Sequence, residues 1–256
     1  MSALAASDVT VSIGAKQIVR DASFSLAEGE LLALVGPNGA GKTTLMRALS
    51  GLIPTQGAIT LADRPLGSLS PRDRARHIAY LPQGHVFHWP MSVEEIVMLG
   101  RAPHADVFSS TSPADRAAVT HAMAATETGM FAQRAVTTLS GGEKARVALA
   151  RALATQAPVL LADEPTAALD PRHQLVVMEL LREAARRGNA ILAIMHDLTL
   201  AARFADRVLV MNEGRIVAEG PPADALAPER LASVFGVEAV TVAVGDKRVP
   251  IAGRAL

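Results

Sequence analysis

The chain has 256 residues, enough for one large domain or for one domain carrying a sizeable subdomain. Its 25 basic residues balance 25 acidic ones, which removes the electrostatic case for non-specific binding to nucleic acid or anionic lipid. No cysteine is present, excluding disulfides, thiolate zinc sites and cysteine nucleophiles, and one Trp, one Tyr and six Phe are too few for base-stacking platforms.

From the N-terminus, no Lys or Arg precedes Lys16, so the basic start of a secretory signal is missing and the chain is expected to stay in the cytoplasm. Val9 to Ile13, Ile18 to Leu26 and Glu30 to Val35 read as strands, the last a fully apolar run that ends in a glycine-rich turn and then a helix from about Gly41. Between Ser70 and Ala135 the pattern becomes helical. Ser70-Pro71, Ser92 with Glu95, and Ser112-Pro113 each place a cap before a first-turn residue, and an inserted helical subdomain is expected over residues 84–140. Apolar strands follow at Val159 to Ala162, Ala190 to Met195 and Arg207 to Met211, each preceded by a helical pattern, as in the crossover units of a parallel sheet. Glu213-Gly214 turns between two strands, and short helices lie around Pro221 to Phe235. Val240 to Ile251 closes as a hairpin at Gly245-Asp246 in a C-terminal extension over 236–256 that carries no recognisable chemistry. No apolar run approaches the roughly 20 residues that span a bilayer.

Gly36-Pro37-Asn38-Gly39-Ala40-Gly41-Lys42-Thr43 is a complete P-loop pattern in the context that motif requires, between an apolar strand and a helix. Glycines let successive backbone N–H groups point into one concavity, and the helix N-terminus adds partial positive charge for a polyphosphate. Lys42 is placed to reach the outer phosphates, and the Thr43 hydroxyl to ligate Mg²⁺ beside Thr44. Further on, the apolar strand Val159 to Ala162 delivers Asp163 and Glu164 at its carboxyl end, the Walker B arrangement. Asp163 suits a Mg²⁺ role, and Glu164 suits polarisation of the water that attacks the γ-phosphate. A surface pair of carboxylates is the plain alternative, and four preceding apolar residues argue against it.

Leu139-Ser140-Gly141-Gly142-Glu143 is a feature that ordinary P-loop enzymes lack. With Gln83 after Ala79-Tyr80-Leu81-Pro82, Ala168-Leu169-Asp170 after the carboxylates, and His196 after the strand Ala190 to Met195, the chain resembles the nucleotide-binding subunit of an ABC transporter over about residues 8–220. Taken singly, Ser140 with Glu143 is a capping box and Asp170-Pro171 an ordinary helix start; their conjunction in this order carries the resemblance. It implies an α/β P-loop NTPase, a RecA-like core with an antiparallel β subdomain plus the inserted helical subdomain. It further implies an ATPase with ATP and Mg²⁺, the metal held by Thr43, Gln83 and Asp163, with Glu164, His196 and Gln83 as catalytic residues. Gly36 to Thr44, Ser140, Gly141, Gly142 and Asp170 are the implied nucleotide-binding residues.

In such an ATPase two copies face head to tail over two ATP, so Ser140 to Gly142 would serve the nucleotide of the second copy, and Asp170 would cross the interface. Where the family commonly stacks an aromatic residue on adenine, this chain has Ile13, which implies poor discrimination between adenine and guanine.

The stretches Ile96 to His104 and Leu169 to Gln174 resemble the ATPases of importers for ferric siderophores, haem and cobalamin. The partners so implied are a second copy, a separate transmembrane permease docked near Phe87 and Trp89, and, indirectly, a periplasmic binding protein, at the cytoplasmic face of the inner membrane. His85 and His88 could be imagined as metal ligands, but they lack a nearby carboxylate or cysteine. A soluble ABC-type ATPase acting on nucleic acid or ribosomes, and a switch with negligible turnover, are the alternatives. The single cassette without basic excess argues against the first, and the presence of Glu164 and His196 against the second.

Overall fold

A computed structural model describes residues 2–84, 86–105, 111–245 and 247–256, with Arg248 described by its backbone only. The first strands, β1 (Ser2–Ile13) and β2 (Lys16–Ala27), pair antiparallel, and β3 (Leu31–Val35) leads into α1 (Lys42–Leu49). β1 starts well before Val9 because Asp8, at φ 52°, sits in an irregularity that breaks the alternation and hides the earlier half of the strand. β4 (Gln56–Leu61) and β5 (Arg64–Pro65) complete a sheet in the order β2-β1-β4-β5.

α2 (Pro71–His77), capped by Ser70, is followed by β6 (Ile78–Leu81), a strand the helical reading of 70–135 does not anticipate. α3 (Val93–Met98), α4 (Pro113–Ala125) and α5 (Gly141–Ala154) come next, each opened by a serine whose side chain accepts from the N3 backbone N–H. At all three the acidic N3 residue bonds back to the capping serine. β7 (Val159–Asp163), α6 (Pro171–Arg186), β8 (Ala190–Ile194), α7 (Leu198–Phe204) and β9 (Arg207–Asn212) then build the crossover units, and β10 (Arg215–Gly220) returns antiparallel. α8 (Pro222–Ala225), α9 (Pro228–Phe235), β11 (Val237–Val244) and β12 (Lys247–Ala255) form the tail. The tail hairpin is longer than expected at both ends, and Asp246 of its turn lies outside the described residues.

The six-stranded sheet runs β10-β9-β3-β8-β7-β6, parallel from β9 to β6. Its inner strands β3, β7 and β8 are buried along their whole length without alternation because both faces are covered, whereas β10 at the edge alternates. Leu31, Ala33 and Val35 of β3 face α5, α6 and α7, while Leu32 and Leu34 face the side of α1 and the antiparallel sheet. α5 is buried on two sides: Ala145, Ala148, Leu149 and Ala152 join the first core, while Val147, Ala150 and Ala154 join a separate cluster with α3 and α4. That double burial explains why small and aliphatic residues dominate the later turns of α5, and it fixes the position of Ser140 at its start.

Candidate functional site

The P-loop turns from β3 into α1 at the carboxyl end of the parallel sheet, beside the ends of β6, β7 and β8. Two of its glycines are required by packing. Gly36 has φ 154° and a Cβ there would meet the Met211 carbonyl oxygen at 2.0 Å; Gly41, the N-cap of α1 at φ 103°, would place one 2.8 Å from the Ile18 carbonyl oxygen. Lys42 is buried and its Nζ donates to the carbonyl oxygens of Gly36 (2.7 Å) and Pro37 (2.9 Å), curling the side chain back over the loop. Burial lowers the Lys42 pKa, opposed by the nearby carboxylates of Glu164 and Asp163.

Asp163 ends β7 with no exposed surface, and neither carboxylate oxygen has a hydrogen-bond partner. Burial raises its pKa, the adjacent Thr43 hydroxyl offsets part of that, and Glu164 adds to it. An orphaned carboxylate beside a threonine hydroxyl, at the mouth of a phosphate loop, has the donor chemistry of a site for a hard cation such as Mg²⁺. Glu164 follows at φ 56°, a left-handed conformation that a side-chain-bearing residue adopts only when its surroundings hold it there. Its Oε1 accepts from His196 Nε2 at 2.5 Å, joining the ends of β7 and β8. A cavity of 820 Å³ is lined by Asn38 to Thr44, Gln83, Glu164 and His196, with Ile13, Lys16 and Ile18 at one side. Sequence-distant Gln83, Glu164 and His196 thus meet the P-loop in one cavity. Ile13 is 62% exposed, an open apolar face at its edge.

Ser140, Gly141 and Gly142 are not among the residues lining that cavity. Ser140 N donates to Glu143 Oε2 (2.7 Å), and the Ser140 Oγ accepts from Glu143 N (3.3 Å). Asp170 caps α6, accepting from His173 N (2.9 Å) and His173 Nδ1 (2.7 Å), and Arg172 donates to His173 Nε2 (3.2 Å), so the ring is the tautomer with its hydrogen on Nδ1. Hydrogen bonds from His173 hold the Asp170 carboxyl below its ordinary range.

Two features carried no sequence signal. Glu127 accepts from both terminal nitrogens of Arg172 at 3.1 Å, and its carbonyl oxygen accepts from buried Arg146 of α5 at 3.0 Å, linking α5 to the start of α6. Arg101, 8% exposed, donates to Asp115 (2.8 Å), to the carbonyl oxygens of Ala154 (2.8 Å) and Thr155 (3.2 Å), and to Gln156. It pins α3, α4 and the end of α5 together. Phe87, expected on an open surface, is half-buried and packs inward, whereas Trp89 and Val86 are each 75% exposed. Of the two histidines weighed as metal ligands, His85 lies outside the described residues, and among the described residues no group of three His, Cys, Asp or Glu could hold a metal ion.

The family described as ABC transporter matches residues 19–167. The chain belongs to the ABC transporter ATPase family. As an ABC ATPase it binds ATP, and cassettes of this family act as dimers with transmembrane components. Among its relatives is the hemin import ATP-binding protein HmuV of Streptomyces coelicolor, 47% identical over 90% of this chain and 82% of the relative. The cobalamin import ATP-binding protein BtuD of Halobacterium salinarum is 44% identical over 93% of this chain and 60% of the relative. A structure described as a metal-chelate type ABC transporter in an inward-facing conformation aligns with TM-score 0.83 at 26% identity, covering 98% of this chain and 96% of that one. An ATP-binding cassette dimer in a post-hydrolysis state with ADP and Pi aligns with TM-score 0.77 at 26% identity, covering 86% and 98%. The ABC cassette itself has no helix long and apolar enough to cross a membrane among the described residues.

Proposed function

We propose that this ABC ATPase energises import of a metal-bearing macrocycle or chelate, in the order haem, ferric siderophore, cobalamin, by dimerising over two ATP against a separate permease at the cytoplasmic face of the inner membrane. The observation that carries the cargo class is similarity at 44–47% identity, over nine-tenths of the chain, to relatives named for hemin and cobalamin import. Cargo recognition itself belongs to the permease and, one step further out, to a periplasmic binding protein.

In this reading the backbone N–H groups of Gly36, Asn38, Gly39, Ala40, Gly41 and Thr44 cradle the phosphates, Pro37, which has no N–H, shapes the turn between them, and Lys42 swings from its loop carbonyls to the outer phosphates. Thr43, Gln83 and Asp163 would hold Mg²⁺, which when bound supplies charge neutralisation on the phosphates. Glu164 is the base that orients and deprotonates water, and His196, donating to it, fixes its rotamer and reaches the γ-phosphate. Gln83 lines the same cavity as the P-loop, Glu164 and His196, where it serves both the metal and the reacting water. Ser140, Gly141 and Gly142 of the partner subunit complete each nucleotide site from outside, which accords with their absence from the cavity of their own chain. Asp170 crosses between the copies, with its carboxylate held in place by His173. Residues 84–140 act as the helical subdomain, 236–256 as an extension, and exposed Val86 and Trp89 meet the permease. The near balance of charge supports a protein partner over nucleic acid.

A tagged Glu164→Gln chain captured with ATP from native membranes tests this reading. Co-purification of a polytopic permease whose reconstituted ATPase rises with hemin is the expected result. Recovery with ribosomes or nucleic acid instead overturns it, and stimulation by cobalamin alone overturns the order of cargoes.

A further inference from the structure

The C-terminal hairpin stands apart from both large sheets and leaves an apolar stripe open: Val240 is 57%, Val242 40%, Val244 41% and Ile251 45% exposed. Its two edges differ. β12 lies against α7, and Thr199 Oγ1 donates to the Pro250 carbonyl oxygen at 3.3 Å; β11 meets α9, with Val237 and Ala239 half-buried on the core and residues 240–245 exposed. Pro250 stands opposite Thr241, has no N–H, and turns its carbonyl outward to α7, so the pair is one that exchanges no ladder hydrogen bonds. The same parity makes the N–H and C=O of Thr241 point away from β12, and with them those of Ala239 and Ala243, two residues either side in an unbroken register. Among the described residues no other strand or backbone group bonds to them. β12 carries Lys247, Arg248, Pro250 and Arg254, the residue types that guard an edge, whereas residues 239–245 of β11 and its turn contain neither charge nor proline.

The unguarded edge is also self-complementary. Ala239-Val240-Thr241-Val242-Ala243 reads the same in both directions about Thr241, the residue whose backbone groups face outward. A two-fold interface demands that a surface fit its own copy, and an antiparallel strand pair centred on one residue does so when its flanks match. In that register Thr241 faces its twin and Ala239 faces Ala243 of the partner subunit, all three with N–H and C=O free to bond. On the other face Val240 meets Val242 of the partner subunit, continuing the stripe that Ile251 begins. Glu238 of the partner subunit falls opposite Val244, whose cross-strand neighbour is Lys247, so the ends carry opposite charges.

We propose that β11 is a second homodimerisation site, joining two copies by edge-to-edge antiparallel pairing about Thr241, independent of nucleotide and distinct from the ATP-bridged contact. It tethers two cassettes while their nucleotide sites are open.

The natural absence of cysteine makes the test direct. Paired strands place opposed Cα atoms about 5.5 Å apart, within the roughly 4.4–6.8 Å that a disulfide bridges. In the proposed register the Val244 twins are six positions offset, about 20 Å apart at roughly 3.4 Å per residue. Full-length chain carrying Lys42→Ala, to remove the ATP-bridged contact, is oxidised without nucleotide. Thr241→Cys should give a covalent dimer and Val244→Cys should not. Equal cross-linking of both, or of neither, overturns the register. Sedimentation of the cysteine-free chain should show a nucleotide-independent dimer. Ala239→Lys/Ala243→Lys and Ala239→Glu/Ala243→Glu chains should each be monomeric and should associate on mixing; a wild-type chain that stays monomeric, or like-charged variants that still dimerise, overturns the proposal.

Discussion

The phosphate cavity and the helical unit of α3 to α5 solve opposite problems. At the cavity, Asp163 is buried with both carboxylate oxygens unpartnered, Lys42 is buried and folded onto backbone carbonyls, and Glu164 is held at φ 56°. In the helical unit each helix starts with a serine cap, buried Arg101 and Arg146 have their donors met by carbonyls and carboxylates, and no described side chain from 86 to 140 is left buried without a partner. Unsatisfied polar groups in a folded core are costly unless a ligand meets them, so the first region is built for a ligand. The second has its buried polar groups met within the chain and is built to hold its shape.

The sharpest way to break this contrast is Glu164→Gln. Turnover should fall by about 10² to 10⁴ while ATP still binds and the closed dimer accumulates, measured by phosphate release and by sedimentation with ATP. Unchanged hydrolysis would remove Glu164 from its role and leave its strained backbone without a chemical reason.

A mutation in the helical unit should act on stability instead. Arg101→Ala strips the Oδ1 partner from Asp115 and a donor from two carbonyls, with an expected loss of about 3 kcal/mol in denaturant unfolding. Hydrogen exchange should locate the loss in α3 to α5, and equal loss of protection in β3 and β7 would show that the two regions are not separable.

Ser140→Ala probes a cap of the helical unit that the proposed function also assigns to the second copy's nucleotide. Removing its hydroxyl takes away the acceptor for Glu143 N, at about 1 kcal/mol of helix stability, and should impair hydrolysis while a single subunit still binds nucleotide. Dimers mixed from Ser140→Ala and Lys42→Ala chains should regain activity through the one site whose residues are all intact. No recovery would contradict sharing of sites between chains.

Acid should reveal Asp115. Hydrogen bonds from Ser112 and Arg101 lower its pKa to about 2. A carboxyl depressed on folding stabilises above its unfolded pKa, near about 4, and that contribution is lost as pH falls from there toward 2. Asp115→Asn should flatten this limb of the stability profile, and an unaltered acid limb would deny the Arg101 clamp its electrostatic part.

The smallest effect is expected at Ile13. With an open aliphatic face at the cavity edge, ATP and GTP should bind with similar affinity by titration calorimetry. Ile13→Tyr should tighten ATP binding by about tenfold, given roughly 1–3 kcal/mol for stacking a base on an aromatic ring. A strong native preference for ATP would show that another group reads the base.

What lay in the sequence was whatever is written in consecutive residues. The P-loop, the apolar strand before Asp163, the serine caps and the Leu139 to Glu143 stretch are local chemistry, and the order of these motifs carried the family. Strands buried on both faces were legible as unbroken apolar runs because a sheet covered on two sides needs no alternation. Only the tertiary structure decided what depends on partners far apart in the chain. β6 was hidden among helix signals because four residues carry too little pattern to show a strand before its neighbour β7 pairs with it. Arg101 reaches carbonyls at 154 and 155, and Glu127 reaches Arg172, through pairings that no spacing rule records. His196 became a partner of Glu164 only when β7 and β8 lay side by side. The free edge of β11 likewise follows from which way Pro250 turns its carbonyl, a fact of packing against α7. A short motif states which chemistry is available, and the fold states which of those groups meet, because burial and hydrogen-bond satisfaction are properties of the assembled core.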